Sequence, residues 1–284
     1  MGACVVALAC AALAGSGCGL FGPTIDLPKD LAEAAAKPEI GSRALLRAHQ
    51  TELELATWQP AVQSLVDALG ERIDPVHAQP LRAAVRRTYG AQRLYDRVAT
   101  SLTEDWDSDA ALAQLQFLAS GTGQKVLRAR ALRREQKTAA RFADFSRDFS
   151  ESRFPAARVE LLRRLDQATL TSKGAVLVNR AVVDGALAAL SGTTSGTDAA
   201  AFRSLRERAA REEPQLYPLA ADELLRWNLF ALQSLSEDEL ARYVAFSESP
   251  AGQWWVVSSA RALRLAANGA GEELFQALRP RNEL

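Results

Sequence analysis

The stretch that decides the fold is Phe117-Leu118-Ala119-Ser120-Gly121-Thr122-Gly123-Gln124, and the chain repeats it as Phe246-Ser247-Glu248-Ser249-Pro250-Ala251-Gly252-Gln253. Phe, Ser, Gly and Gln occupy the same positions in both copies. Internal similarity of this kind is typical of proteins built from related structural units. The repeat therefore predicts two diverged helix-turn-helix units, in which the phrase forms a corner rather than a chemical site.

The second copy contains the signals that end one helix and start the next. Ser249 is a suitable N-cap, and Pro250 suits the first helical position, where no N–H is needed. Gly252 in the first turn predicts the close approach of another helix. Phe246 is expected to fill the inside of this corner.

The first copy has weaker signals for the same corner. Phe117, Ser120 and Gly123 keep their places, with Ser120 as the cap and Gly121 in the position of the proline. A starting cap is also predicted before each corner. In the second copy it is the capping box of Ser236 and Glu239, and in the first it is Asp107 or Ser108.

Apolar residues recur at intervals of three and four over most of the chain, in runs rich in Ala, Leu, Arg, Glu and Gln. No alternation of period two bounded by hairpin turns is found. These patterns predict an all-α fold, a multi-helix bundle. The most apolar late stretch, 174–190, is interrupted by Asn179, Arg180 and Asp184 and is expected to be a buried core helix rather than a membrane span.

The second corner also resembles a known family. Leu235-Ser236-Glu237-Asp238-Glu239-Leu240 followed by Phe246 and Ser249-Pro250-Ala251-Gly252 is similar to the Leu-Ser/Thr-x-x-Glu-Leu and Phe-x-x-Ser-Pro-x-Gly signature of domain-of-unknown-function family twenty-fifty-nine. Members are exported bacterial helical proteins without an established activity. The resemblance implies export and a helical fold, and it implies no catalytic residue. The first copy lacks the Glu-Leu opening and the proline.

The N-terminus predicts export from the cytosol. A short apolar run, Val5 to Ala14, precedes Gly15-Ser16-Gly17-Cys18, and it is too short to span a bilayer. Small residues before a cysteine resemble the lipobox of bacterial lipoproteins, which predicts lipidation of Cys18. No Asp stands directly after Cys18-Gly19, which by resemblance to lipoprotein sorting favours the outer membrane. A cleaved secretory signal and a cytosolic chain with an apolar N-terminus are the alternatives.

Composition limits the remaining classes of function. Cys4, Cys10 and Cys18 are the three cysteines, so disulfides, zinc thiolate sites and thiol catalysis are excluded from the folded body. The 34 basic and 34 acidic residues balance, which gives no reason to expect a nucleic acid partner. Between Lys125 and Arg164, however, twelve Lys or Arg face five Asp or Glu. This imbalance predicts either a solvated helix face or a basic surface.

Five regions are expected along the chain. They are a signal peptide (1–18), a tether (19–40), a first helical unit (41–170), a second helical unit (171–268) and a C-terminal tail (269–284). A polar loop is predicted at 191–198, with Thr197 or Asp198 as the N-cap of the next helix.

No residue pattern predicts a cofactor, a metal or a catalytic group. The Gly-rich stretch before Lys125 lacks the phosphate-loop spacing, and no strand precedes it. His49 and Glu52 share a helical face but offer only two metal ligands, and the one other histidine is His77. Ser-His-Asp catalysis has no sequence cue in this chain.

Two groups remain as candidate contacts with a ligand or partner. Arg180 and Asp184 are four apart on the apolar helix, beside Asn179. They form either an intramolecular pair or a polar anchor in a ligand cavity. Trp254 and Trp255 point about 100° apart on a helix, so one can be in the core and the other exposed. An exposed tryptophan here reflects either simple packing or a contact surface for a membrane interface or a partner.

The expected function is therefore non-enzymatic. The chain is predicted to be an envelope binding or interaction module, attached to the membrane through a lipid anchor, whose partner is an envelope protein or an apolar ligand. The alternative is a carrier of an apolar small molecule or lipid, which requires a cavity of about 300 Å³ or more within the bundle.

Overall fold

The computed structural model describes residues 26–69, 75–135, 137–193 and 196–279, and within these ranges it contains helices and no strand. The predicted all-α fold is confirmed. The helices are α1 (Leu31–Ala36), α2 (Pro38–Ala48), α3 (Thr51–Ala68), α4 (Pro75–Thr88), α5 (Ala91–Glu104), α6 (Ser108–Ala119), α7 (Gly121–Ala131), α8 (Thr138–Arg147), α9 (Ala156–Thr169), α10 (Thr171–Thr193), α11 (Gly196–Ala231), α12 (Glu237–Glu248) and α13 (Pro250–Leu278). Short 3₁₀ helices occupy Leu132–Arg134 and Glu151–Arg153.

Both copies of the repeated phrase form the same corner, between α6 and α7 and between α12 and α13. The Ser120 side chain accepts a hydrogen bond from the Gly123 N–H (3.1 Å) and donates one to the Phe117 carbonyl (2.6 Å). Ser249 does the same with Gly252 (3.2 Å) and Phe246 (2.6 Å). Each serine therefore closes one helix and starts the next.

The glycines of the phrase are required by the preceding helix of the same corner. A Cβ on Gly123 would overlap the Phe117 carbonyl oxygen and lie 2.6 Å from Leu118 Cα. A Cβ on Gly252 would overlap the Phe246 carbonyl oxygen and lie 2.6 Å from that of Ser247. The close approach predicted at Gly252 is thus to the last turn of α12, and not to a distant helix.

The glutamines and phenylalanines of the phrase complete the corners. Gln124 Nε2 donates to the Leu118 carbonyl (3.0 Å), and Gln253 Nε2 donates to the Ser247 carbonyl (2.7 Å). Phe117 and Phe246 stack on each other, with ring centroids 4.1 Å apart and planes 1° apart. Each ring therefore packs between the two corners instead of inside its own.

The starting caps lie where the sequence placed them. Ser236 and Glu239 form the predicted capping box at the start of α12. Of the two candidates before α6, Asp107 is the cap, since its side chain accepts from the Ala110 N–H (2.9 Å). Lys125 on α7 forms an ion pair with Glu239 (2.7 Å), which connects the first corner to the capping box at the start of α12.

Two hydrophobic clusters make up the core. The larger takes buried side chains from α1 to α7, from α10, from the start of α11 and from α13. The smaller lies between α9, the end of α11 and α12, and also includes Val126 and Ala129 of α7. Because each cluster draws on residues from both predicted units, 41–170 and 171–268, the core does not divide at the predicted boundary.

The ends of the described chain belong to the core, contrary to the predicted tether and tail. Ala34 and Ala35 of α1 are buried within the range assigned to the tether (19–40). At the other end α13 continues to Leu278, and Ala270 and Leu274 are fully buried within the range assigned to the tail (269–284). The sequence does not predict the packing of these two ranges, because alanine and glycine give a weak hydrophobic pattern even where helices pack closely.

The long apolar helix α10 packs along both α11 and α13. It crosses α13 where two glycines meet, since a Cβ on Gly271 would lie 2.6 Å from Gly185 Cα. Among the described residues it is the one helix long and apolar enough to span a bilayer, by length and composition, and 39% of its apolar window is buried within the protein. It extends to Thr193, and α11 begins at Gly196, so the predicted loop at 191–198 is mostly helical.

Candidate binding site

The Arg180–Asp184 pair is engaged within the protein. Arg180 Nε lies 2.8 Å from Asp184 Oδ2, and its Nη2 donates to the Arg206 carbonyl of α11 (3.0 Å). Two side chains of α11 lie nearby. Arg206 Nε is 3.8 Å from Asp184 Oδ1, and Glu213 Oε2 is 3.8 Å from Arg180 Nη1. The pair therefore joins α10 to α11, which is the intramolecular alternative, and the neighbouring Asn179 is half-buried.

The two tryptophans lie in different surroundings. Trp255 is 6% exposed, and its indole N–H donates to His49 Nδ1 (3.0 Å). Trp254 is half-buried, and its ring meets Trp106 edge-on, with centroids 5.5 Å apart. Its N–H donates to the Asp105 carbonyl (3.3 Å). Trp255 is the core residue of the pair, while Trp254 packs against Trp106 and is partly exposed.

His49 is a half-buried side chain that packs against Trp255. Because its Nδ1 accepts the Trp255 N–H, the neutral ring carries its proton on Nε2, which has no partner in the described part of the chain. Burial, and after it the charge of Arg130, lowers the pKa of His49 well below 6.5. No group of three or more metal-binding side chains occurs among the described residues, and the side chain of His77 lies outside them, as does Cys18.

The cavity between the two corners is too small for an organic ligand. Phe117 and Phe246 line it together with His49, Tyr243 and Trp255, and its volume is about 30 Å³. That volume accommodates about one water molecule. The corners thus hold the bundle together and do not enclose a binding chamber.

An aromatic cluster packs against the smaller hydrophobic cluster of the core. It combines rings from α8 and the segment after it with two rings from the end of α11, namely Phe142, Phe145, Phe149, Phe154, Trp227 and Phe230. Phe142 meets Trp227 edge-on at 5.1 Å, and Phe145 lies 5.5 Å from Phe230. Phe149 and Phe154 each lie about 6 Å from Phe145.

One edge of this cluster opens into a surface pocket of about 280 Å³, here called the aromatic pocket. Its apolar lining is formed by Phe145, Phe149 and Phe154, which are all half-buried. Its polar lining is formed by Asp144, Asp148, Ser150 and Arg153. Pockets that bind drug-sized molecules have volumes of about 300–1,000 Å³, so the aromatic pocket, which is slightly smaller, suits a ligand below that size.

Local structure explains how the aromatic pocket forms. Asp148 ends α8, so the chain turns there and brings Phe149 and Phe154 back towards Phe145. Arg153 stabilises this turn, since its guanidinium donates to the Asp148 carbonyl (3.0 Å). The Ser150 and Ser152 hydroxyls also hydrogen-bond to each other (2.9 Å).

Sequence reasoning missed the aromatic pocket. None of the candidate residues predicted from the sequence lines the aromatic pocket, because charge is the dominant pattern of the segment 125–164. The signal was nonetheless present, since Phe142, Phe145 and Phe149 follow helical spacing and share one face. The contribution of Trp227 and Phe230, far along the chain, could be found only in the folded protein.

The chain matches no known protein family, no curated protein and no solved structure. The resemblance of the second corner to the exported helical family therefore stays a prediction.

Proposed function

We propose that this chain is a non-catalytic binding module of the bacterial cell envelope, tethered to the membrane by a lipid on Cys18. Its binding site is the aromatic pocket, and its ligand is a small molecule with an apolar body. The observation that carries the proposal is that three half-buried phenylalanines line an open space of about 280 Å³. Covering apolar surface of this kind is the main driving force for binding a small ligand.

The alternative of an apolar-ligand carrier has less support. A carrier holds its ligand within the bundle, and the cavity at the meeting point of the corners has a volume of about 30 Å³. The polar candidates Arg180 and Asp184 bind α11 and line neither this cavity nor the aromatic pocket. A surface pocket fits reversible binding better than transport of an enclosed ligand.

The binding proposal is tested with a neutral probe, 3,3-dimethyl-1-butanol, titrated into the full chain while the aromatic resonances are followed by NMR. Saturable shifts are expected at the rings of Phe145, Phe149 and Phe154. Ser150→Phe, which fills the aromatic pocket, should abolish them. Ser152→Phe is the matched control, because it removes the same serine hydrogen bond and its position does not line the pocket. Equal shifts in both variants, or saturable shifts confined to rings outside the aromatic pocket, would sink the proposal.

The anchor is tested separately by metabolic labelling with a radioactive fatty acid in a bacterial host. Label is expected on the wild type and on Cys10→Ser, and it is expected to be lost in Cys18→Ser. The small residues before Cys18 and the family resemblance of residues 235–252 support this part of the proposal. Equal label on the wild type and Cys18→Ser would refute it.

A further inference from the structure

The rings of the aromatic cluster already act as acceptors for positive charge. The guanidinium of Arg133 lies over Trp227, with its carbon 5.1 Å from the ring centroid. Within the described part of the cluster, Arg141 also lies over Phe230 at 5.6 Å, and Arg226 lies over Phe149 at 6.0 Å. Cations within about 6 Å of an aromatic face are attracted by the negative charge density of that face.

Two rings of the aromatic pocket have no such partner in the described part of the chain. Phe145 and Phe154 line the open space, and no guanidinium or ammonium lies over either of them. Three rings of the cluster do carry a cation, and each obtains it from an arginine of this chain: Phe149, Trp227 and Phe230. The open side of the aromatic pocket is therefore the place where a cation from solution would complete the pattern.

Two carboxylates lie at the aromatic pocket. Asp144, Asp148 and Arg153 line it, and Arg226 lies over the ring of Phe149. Asp144 pairs with Arg147 at 2.9 Å, but both side chains are about 70% exposed, so this pair is weak and exchangeable. Arg153 binds the carbonyl of Asp148, and the Asp148 carboxylate has no ion pair among the described residues.

We propose that the ligand of the aromatic pocket is a small organic ammonium ion, with methyl groups on nitrogen placed against Phe145 and Phe154 and its charge compensated by Asp144 and Asp148. This inference rests on the proposed function, since it names the ligand class of the same pocket. A quaternary ammonium fits better than a primary amine, because its alkyl groups bury apolar area and its charge is spread and weakly hydrated. A metal ion fits poorly, because two carboxylates and a guanidinium are an incomplete ligand set.

The test compares choline with 3,3-dimethyl-1-butanol, which has the same shape and no charge, by NMR titration of the full chain at fixed ionic strength. Choline is expected to bind about 2- to 30-fold more tightly, the range given by a cation at an exposed to a buried aromatic site. Phe154→Leu keeps an apolar lining and should weaken choline about fivefold while leaving the alcohol nearly unchanged.

Charge is tested with a second pair of variants. Asp148→Asn should weaken choline about two- to fivefold, as the loss of one exposed carboxylate predicts. Glu160→Gln makes the same change in net charge at an exposed position outside the aromatic pocket, and it should leave choline binding unaltered.

The outcomes separate this inference from the proposed function. Equal affinities for choline and the alcohol would overturn the ammonium assignment and leave an apolar binding site in place. If neither probe gives saturable shifts at the pocket rings, both proposals fail. Weaker binding of choline than of the alcohol would likewise overturn the ammonium assignment.

Discussion

Replacing Gly123 by alanine would place a methyl group inside the last turn of α6. The added Cβ would overlap the Phe117 carbonyl oxygen and lie 2.6 Å from Leu118 Cα, and both atoms belong to the backbone, which cannot turn aside as a side chain can. The corner would have to open. Opening it weakens the Ser120 cap, the hydrogen bond of Gln124 to Leu118 and the stacking of Phe117 on Phe246.

The expected cost follows from these contacts. A lost N-cap costs about 1 kcal/mol, a hydrogen bond about 1 kcal/mol and an aromatic pair about 0.5–1.5 kcal/mol, while alanine in a helix returns up to about 1 kcal/mol relative to glycine. Gly123→Ala is therefore expected to lower the free energy of unfolding by about 1.5–3.5 kcal/mol. Urea unfolding followed by circular dichroism measures this, with the slope of the transition unchanged.

Gly121→Ala provides the matched control for this prediction. Gly121 is in the same corner, two residues earlier, and nothing lies within 4 Å of a Cβ placed there. Its replacement is expected to be neutral or to stabilise by about 0.5–1 kcal/mol. If the two variants unfolded at the same urea concentration, the close backbone contact at Gly123 would not contribute to the stability of the corner.

Two further predictions concern the core. Below pH 6.5 the unfolded chain binds a proton at His49 that the folded chain does not, so stability should fall as the pH drops below about 6.5 and be independent of this group above it. Comparison of urea midpoints between pH 5 and 8 tests this, and His49→Gln should remove that part of the slope; an unchanged slope would contradict it. Gly271→Ala, with its Cβ 2.6 Å from Gly185 Cα, should cost about 1–3 kcal/mol. Gly174→Ala, in open space, should not destabilise, and equal urea midpoints for these two variants would contradict the close helix crossing.

The local part of the fold could be predicted from sequence because capping acts over three residues. Ser120, Ser249 and the capping box at Ser236 follow from residue type and spacing alone. The meeting of Phe117 with Phe246 could not be predicted in the same way. No local sequence pattern predicts the path of the chain between the two corners, and that path is what brings the two rings together.

The candidate site was missed for a related reason. Sequence patterns draw attention to rare polar residues on apolar helices, and Arg180 and Asp184 stand out in that way although α11 binds both. The aromatic pocket consists of common residues that become a site only when the chain turns after α8. Its phenylalanines sit in a segment with many arginines, where charge dominates the pattern.

Ligand binding by the aromatic pocket is measured by intermolecular nuclear Overhauser effects between the methyl protons of choline and the protein. Contacts are expected to the ring protons of Phe145 and Phe154, and they should be lost in Ser150→Phe. Contacts to the rings of Trp106 and Trp254 instead, or contacts that persist in Ser150→Phe, would contradict binding at this pocket.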